Sequence, residues 1–394
     1  MRLIFTSLLL ATALTAPVLA DEVTAWRLFV GDHAEGKVTA LDAASGETLG
    51  TFALKSPASL VASASGDAVF AVQGAGGQVS AIRSGIAIDD HGDHGDIALS
   101  EPALVDAVIE GEKPAHFVEH GGKVALFFDG SGRVDLFSPR QWTEEGKVTV
   151  SQLDSGTPHH GLAVPWGDFT LVSTANAEDE KKPRIGLNVI DAAGDLVGET
   201  HACPDLHGEA ASGNLLIVGC GDGVLVVSGS GEPQVKKLDY AGLPEGKTTT
   251  LIGGQGMQYF LGNYGADKVV IIDPAEAAPY RLVDLPTRRV HFVADPARPK
   301  FAYIFTEDGF LRQLDVVRGE LVQALKVTEP YSMDGDWSLP RPRIAVAGDR
   351  VAVTDPLKGV VHLVDVADFA LAGDIPVEGA PYNIVAVGGS GSQH

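Results

Sequence analysis

Apolar and polar residues alternate in short runs along this chain and do not recur at helical spacing. Five runs share one form, a strand-like apolar stretch closing on Asp: 38–42 (Val-Thr-Ala-Leu-Asp), 187–191, 269–273, 311–315 and 361–365. Weaker copies end at Arg83, Ser138 and Ser228. The eight end positions (42, 83, 138, 191, 228, 273, 315 and 365) lie 37 to 55 residues apart. Several short strands repeating at a period near 40 to 50 predict the four-stranded blades of a β-propeller. Long Leu/Glu/Lys runs are missing, which excludes an all-α protein.

The unit around 116–153 shows the pattern most fully. Residues 116–120, 124–129, 133–137 and 148–153 read as four strands, with Gly121-Gly122 and Gly130-Ser131-Gly132 as turns. The unit around 291–326 repeats it, with Asp308-Gly309 between its second and third strands. The first unit begins at its second strand, residues 27–30, and the last segment, 382–387, is a lone first strand. Docking one beside the other closes the ring and removes open edges. The fold expected is therefore all-β, an eight-bladed propeller (seven blades being the next count), as a single domain over residues 21–388. Two segments depart from the repeat. Residues 87–100 insert between a third and a fourth strand, and 177–183 form a charged loop. The Gly/Ser-rich 389–394 reads as a flexible tail or an expression scar, so His394 belongs to no site.

Composition narrows the partners. With 45% hydrophobic and 21% charged residues, the 394-residue chain can bury a core. Its 52 Asp and Glu against 29 Lys and Arg give a net charge of −23. That excludes nucleic acid and anionic membrane surfaces, which need a basic face. Glycine, at 47 residues, suits many tight turns. The N-terminus has Arg2, an apolar run over 3–16 and a small residue at Ala20 before Asp21-Glu22. This is the pattern of a cleaved secretory signal over 1–20, and it predicts an exported, soluble protein without membrane insertion. In an exported chain, the only two cysteines, Cys203 and Cys220, predict one disulfide. Neither a CxxC nor an enzyme motif such as GxSxG, HExxH or Walker A occurs.

Histidine carries the candidate chemistry. Four of the 12 fall at one repeat position, the start of a blade's first strand: His116, His160, His207 and His291. First strands line a propeller's channel, so His116, His160 and His207, from three consecutive blades, are expected to converge on one point. Three neutral imidazoles are a zinc ligand set, and His159 could replace His160. A set of histidines that only hydrogen-bond across the channel is the alternative. The insertion supplies a second constellation, Asp89-Asp90-His91-Gly92-Asp93-His94-Gly95-Asp96, whose His and Asp suit capture of divalent metal. Its position between third and fourth strands places it on the face opposite the first-strand starts, so it either reaches over to the channel or forms a separate, weaker site that His120 could join. His33 and His362 read as surface residues, and His201 as a possible neighbour of the site. Asp334, Asp336, Arg341 and Arg343 read as salt-bridged loop residues.

These features together resemble AztD-type periplasmic zinc chaperones: the signal, the flap motif His91-Gly92-Asp93-His94-Gly95-Asp96, the channel histidines His116, His160 and His207, and one cysteine pair. The resemblance spans the mature chain. It implies Zn2+ as cargo, a tight channel site, a flap that helps capture or transfer, and Asp93 or Asp96 as a carboxylate ligand. It also implies delivery, by a monomer, to the zinc solute-binding protein of an ABC importer, with no catalysis. Two other classes fit an exported propeller: an oxidoreductase or hydrolase subunit using a three-His metal, and a protein-interaction scaffold without metal.

Overall fold

Val, Ile and Phe crowd the middle strands because those strands are covered on both faces by neighbouring blades. Residues 68–73 (Ala-Val-Phe-Ala-Val-Gln) are buried at every position, whereas the outermost strand Ala370–Pro376 is mostly exposed. The computed structural model, which describes residues 22–392 apart from 92–94, 180, 255 and 337, is an eight-bladed β-propeller. Seven blades are antiparallel four-stranded sheets, six of them from consecutive strands and blade two with the inserted hairpin between its third and fourth strands. The eighth, blade one, is a composite. Third strands end within one residue of the eight repeat positions, from Lys37–Asp42 in blade one to Val360–Asp365 in blade eight.

The ring closes where the chain ends meet. Strand Pro381–Ser392 lies innermost in blade one, antiparallel to Glu22–Asp32, with Val30 opposite Ile384 and Arg27 opposite Val387. The pairing runs on to Glu22 opposite Ser392. Residues 389–392, expected as a flexible tail, are therefore strand. Their backbone groups find partners on residues 22–25, so Gly and Ser suffice without side-chain packing. The insertion is likewise a hairpin and not a loop. Ile86–Asp90 pairs with Gly95–Leu99, and Asp96 sits beside Ser392 as a parallel extension of blade one's sheet. One helix was not expected. Pro139–Glu145 has Ser138 as N-cap, Pro at its start and Gly146 in a left-handed conformation (φ 67°) at its end. Its Trp142 is fully buried between blades two and three, with the indole N–H donating to the Ala107 carbonyl.

Eight hydrophobic clusters fill the eight interfaces between adjacent blades. Each blade buries both faces, and none has a private core, which is how a repeat architecture becomes one cooperative domain. No helix among the described residues is long and apolar enough to cross a membrane.

Candidate metal centre

Three of the four repeat-position histidines meet. His116 lies in blade three's first strand, Pro114–His120, just past a bulge between Pro114 and His116 that re-aims the side chain. His160 and His207 stand slightly outside the expected strands, in the connections leading to Ala163–Trp166 and Glu209–Ser212. The His116 and His160 rings are 4.7 Å apart and the His160 and His207 rings 4.8 Å. The Nε2 atoms of His116 and His160 approach to 3.0 Å.

The Nδ1 atoms face away, each toward its own acceptor. His160 Nδ1 is 2.8 Å from Asp129 Oδ2, His207 Nδ1 is 2.9 Å from the Thr249 carbonyl, and His116 Nδ1 is 3.5 Å from Glu209 Oε2. An acceptor at Nδ1 places the proton there and leaves Nε2 as a lone pair, the arrangement that orients zinc-ligating histidines. Burial disfavours charge on His116, but Glu209, and beyond it Asp129, outweigh burial and raise its pKa. Burial lowers the pKa of His207, against the pull of the Thr249 carbonyl and with the push of the two neighbouring imidazoles.

The donor set fits zinc chemically. Asp129 Oδ1 is buried without a hydrogen-bond partner, and Glu209 Oε2 meets His116 Nδ1 as a 3.5 Å ion-pair contact and not as a hydrogen bond, so two carboxylates offer negative charge beside three imidazoles. As placed, no group of three or more ligating side chains among the described residues forms a finished shell. A tetrahedral ion at ~2.0–2.1 Å from each nitrogen holds ligand nitrogens roughly 3.3 Å apart. The His116–His160 contact need open by only a few tenths of an ångström.

Asp129, Glu209 and Thr249 escaped the sequence reading. Glu209 had a signal: it stands two residues after His207, on the same side of an extended chain. Arg184 escaped as well. It is 1% exposed, and its guanidinium donates to the carbonyls of Ser155, Thr157, His159 and Ser173. Those bonds hold the loop that carries His160. A Cβ at Gly161 would come within 2.6 Å of Ser173 Oγ and 2.8 Å of Phe127, so the chain passes there only as glycine. The Arg184 carbonyl also accepts from Leu206 N–H, and the Cys203–Cys220 disulfide secures the same connection from the other side. His207 N–H then bonds the Gly219 carbonyl, one residue from Cys220.

The other candidates lie apart. His159 points both ring nitrogens at carbonyls, of His160 at 3.1 Å and Lys181 at 3.2 Å. His291 occupies blade seven, three blades from His160. Its Nδ1 accepts from Ile344 N–H at 3.1 Å, and Arg343 and Arg289 add to burial in holding its pKa well below the ordinary value. Guanidinium groups repel a cation, so His291 does not belong with the trio. In the flap, His91 Nε2 is 3.2 Å from Asp96 and 3.7 Å from Asp89; Asp93 and His94 lie outside the described residues. The flap strands wall a cavity of about 750 Å3 with Asp67, Glu119, Gly122 and Arg140. His116, His160 and Asp129 line a different one, of about 510 Å3, with Ser59 and Lys113. His120 pairs with Lys123 across the turn Gly121-Gly122, so four strand residues, about 13 Å at ~3.3 Å each, separate His116 from the turn that walls the flap cavity, and the described flap residues and the trio lie toward opposite faces of the propeller. His120 does not join the flap; it bonds the Pro165 carbonyl at 2.8 Å and stacks on Trp166. His362, read as surface, is buried between Asp355 and Asp374.

No family model matches the sequence. The chain is 49% identical over 398 residues to the zinc chaperone AztD of Citrobacter koseri, with 100% of this chain and 94% of that protein aligned. Its fold matches the crystal structure of Citrobacter koseri AztD with a TM-score of 0.92 at 49% identity, covering 94% of this chain and 100% of that one. The apo form of that protein matches with a TM-score of 0.90 at 48% identity and the same coverage. The dihydro-heme d1 dehydrogenase NirN in complex with DHE shares the fold alone, at 14% identity and a TM-score of 0.61 over 91% of this chain and 74% of that one.

Proposed function

The chain belongs to the family of the zinc chaperone AztD, and from that premise we propose that it carries Zn2+ on the Nε2 atoms of His116, His160 and His207 and delivers it to another protein. The acceptor is the solute-binding protein of an ABC zinc importer, and the encounter takes place in the periplasm between a monomeric chaperone and that protein. One observation carries the reading: three adjacent imidazoles whose Nδ1 atoms all face protein acceptors, so that every Nε2 is directed to shared use.

Delivery proceeds by ligand exchange. Acceptor ligands replace the chaperone's imidazoles one at a time, so the ion is never released to water. Three protein nitrogens leave one tetrahedral position through which an incoming ligand can enter. The flap, with His91, Asp96, Asp93 and His94, captures zinc at the opposite end of the channel and feeds the tight site.

The test is a competition titration of the mature protein with zinc and a chelator. His116→Ala, His160→Ala and His207→Ala should each weaken binding by about tenfold or more, and deletion of 89–96 should slow loading while sparing the tight site. Zinc-loaded wild type should then pass its ion to the solute-binding protein in the presence of excess chelator. Unchanged affinity in the three single variants, or transfer abolished by chelator, would overturn the reading.

A further inference from the structure

Blade seven repeats the geometry of the zinc-facing strand with the opposite charge. In Arg289–Ala294 a bulge falls between Arg289 and His291, as between Pro114 and His116, and His291 pairs with Phe305 as His116 pairs with Phe127. Beside His116 stand carboxylates. Beside His291 stand Arg289 and Arg343, neither with an ion-pair partner among the described residues.

Arg343 is held firmly. Its Nη2 donates to the Tyr382 hydroxyl at 2.8 Å, its guanidinium lies over that ring at 5.1 Å, and Nη1 reaches the Val290 carbonyl at 3.4 Å. His291 Nδ1 accepts from Ile344 N–H, so the neutral ring carries its proton on Nε2, a further donor. Arg289 is the anomaly. Its side chain makes no hydrogen bond among the described residues, and Nη1 is buried without a partner, as is Thr287 Oγ1 two residues earlier. Burial, with Arg343 adding to it, lowers the Arg289 pKa to about 10. A cavity of about 450 Å3 opens at this wall, with His291, Arg343 and Asn383 as polar lining and Leu60, Ile252 and Val346 among the apolar lining; Arg289, two residues before His291 in the same strand, is outside that lining.

The chain has 52 acidic residues, yet among the described residues none forms an ion pair with Arg289 or Arg343. Both guanidinium groups are half-buried, Arg289 lies over the Phe292 ring at 5.5 Å, and its buried Nη1 still lacks a hydrogen-bond acceptor, which costs stability unless something else supplies one. We propose that Arg289, Arg343 and His291 form a binding site for a small oxyanion, a carboxylate or a phosphate, in the central channel. Guanidinium forks match the paired oxygens of either group, and the apolar walls admit a short carbon body. The site is separate from the zinc ligands and stands whether or not zinc is carried there.

Calorimetric titration of the metal-free protein with inorganic phosphate, and separately with succinate, tests this. At least one should bind saturably with one site per chain, and Arg289→Gln and Arg343→Gln should each weaken it by about tenfold or more. Phosphate alone identifies a compact tetrahedral ligand; succinate, with or without phosphate, identifies a carboxylate. Arg289→Met, without anion, should melt no lower than wild type and should lose the anion-induced rise in Tm. No saturation by either probe up to about 20 mM, undiminished binding in both Gln variants, or an Arg289→Met protein that melts lower without anion would overturn the proposal.

Discussion

Each imidazole of the channel trio turns its Nδ1 toward a protein acceptor, and in the function proposed above its Nε2 is left for the ion. That division is set by Asp129, Glu209 and the Thr249 carbonyl, so these acceptors are where zinc affinity can be tuned. Zinc requires neutral His116, whose pKa is raised chiefly by Glu209 against burial. Affinity should therefore begin to fall at a pH above the ordinary histidine value of about 6.5 and decline further with acidity. Glu209→Gln should have two opposed effects: about 10–100-fold weaker zinc binding on the alkaline plateau, and an acid limb displaced to lower pH. A chelator-competition series from pH 5 to 8.5 separates them; an unmoved acid limb would remove Glu209 from the role. His362 supplies a stability counterpart far from the metal. Its pKa is raised by Asp355 and Asp374, and that of Asp355 is lowered by His362 and Tyr331 against burial. A raised histidine stabilises fully below its unfolded pKa and loses that contribution as pH climbs through the folded one. The lowered Asp355 contributes above about 3.8. The pair is thus strongest between those limits. His362→Gln should cost about 1–2 kcal/mol at pH 5.5 and less at pH 9, as read by denaturant titration.

At the scale of elements, connections and not strands aim two of the three ligands. Pro114–His120 presents His116 from a bulged strand, but His160 and His207 ride on loops that need separate anchoring. Arg184 supplies it for 155–160 by tying three of that loop's carbonyls to the Ser173 carbonyl of the strand Phe169–Thr174, and the disulfide supplies it for 203–208. The bridge spans 17 positions in sequence, a loop for which chain entropy gives about 3 kcal/mol. The double variant Cys203→Ala/Cys220→Ala should lose close to that in stability. It should also bind zinc more weakly than wild type at a temperature where both are folded, because His207 is then less constrained. Equal affinity would show that the bonds to Arg184 and Gly219 suffice. The flap follows a different logic. Its hairpin is short and leans on the end of the closing strand through Asp96 and Ser392, so its placement depends on four residues that read in sequence as a tail.

For the whole molecule, closure by Pro381–Ser392 couples the ends of the chain. Truncation after residue 387 removes only the pairing of 388–392 with residues 22–26 and the support under the flap. It should lower Tm by a few degrees, roughly what ~1 kcal/mol does for a domain this size, and leave the channel ligands intact. Truncation after residue 380 removes the inner strand of blade one and exposes the second strand's edge and two inter-blade clusters. Soluble monomer should largely be lost to aggregation, as size-exclusion chromatography would report. Similar Tm values for the two truncations would show that closure is dispensable. Closure also sets charge geometry, since a ring places carboxylate-flanked imidazoles on blades three to five and a guanidinium wall on blades seven and eight around one channel.

The sequence by itself determined the blade count, the ring closure, the cysteine pair as candidates for a bridge and the three convergent histidines. These follow from period and repeat position, which a chain of stacked identical units converts directly into space. It missed the helix 139–145, although Ser138, Pro139 and Gly146 marked its ends, because seven residues are too few for helical periodicity to register. It misplaced His362, since strand alternation distinguishes two faces but cannot tell that both are covered when blades pack on either side. It also grouped His291 with the zinc candidates, because equivalence of backbone position carries no information on neighbouring charge. Only the tertiary structure decided which groups stand within reach of each imidazole. Asp129 follows the end of one strand, Glu209 begins another two blades on, and Arg343 arrives from the loop before blade eight. Electrostatic environment is a property of distances between elements remote in sequence, and closing the ring is what sets those distances.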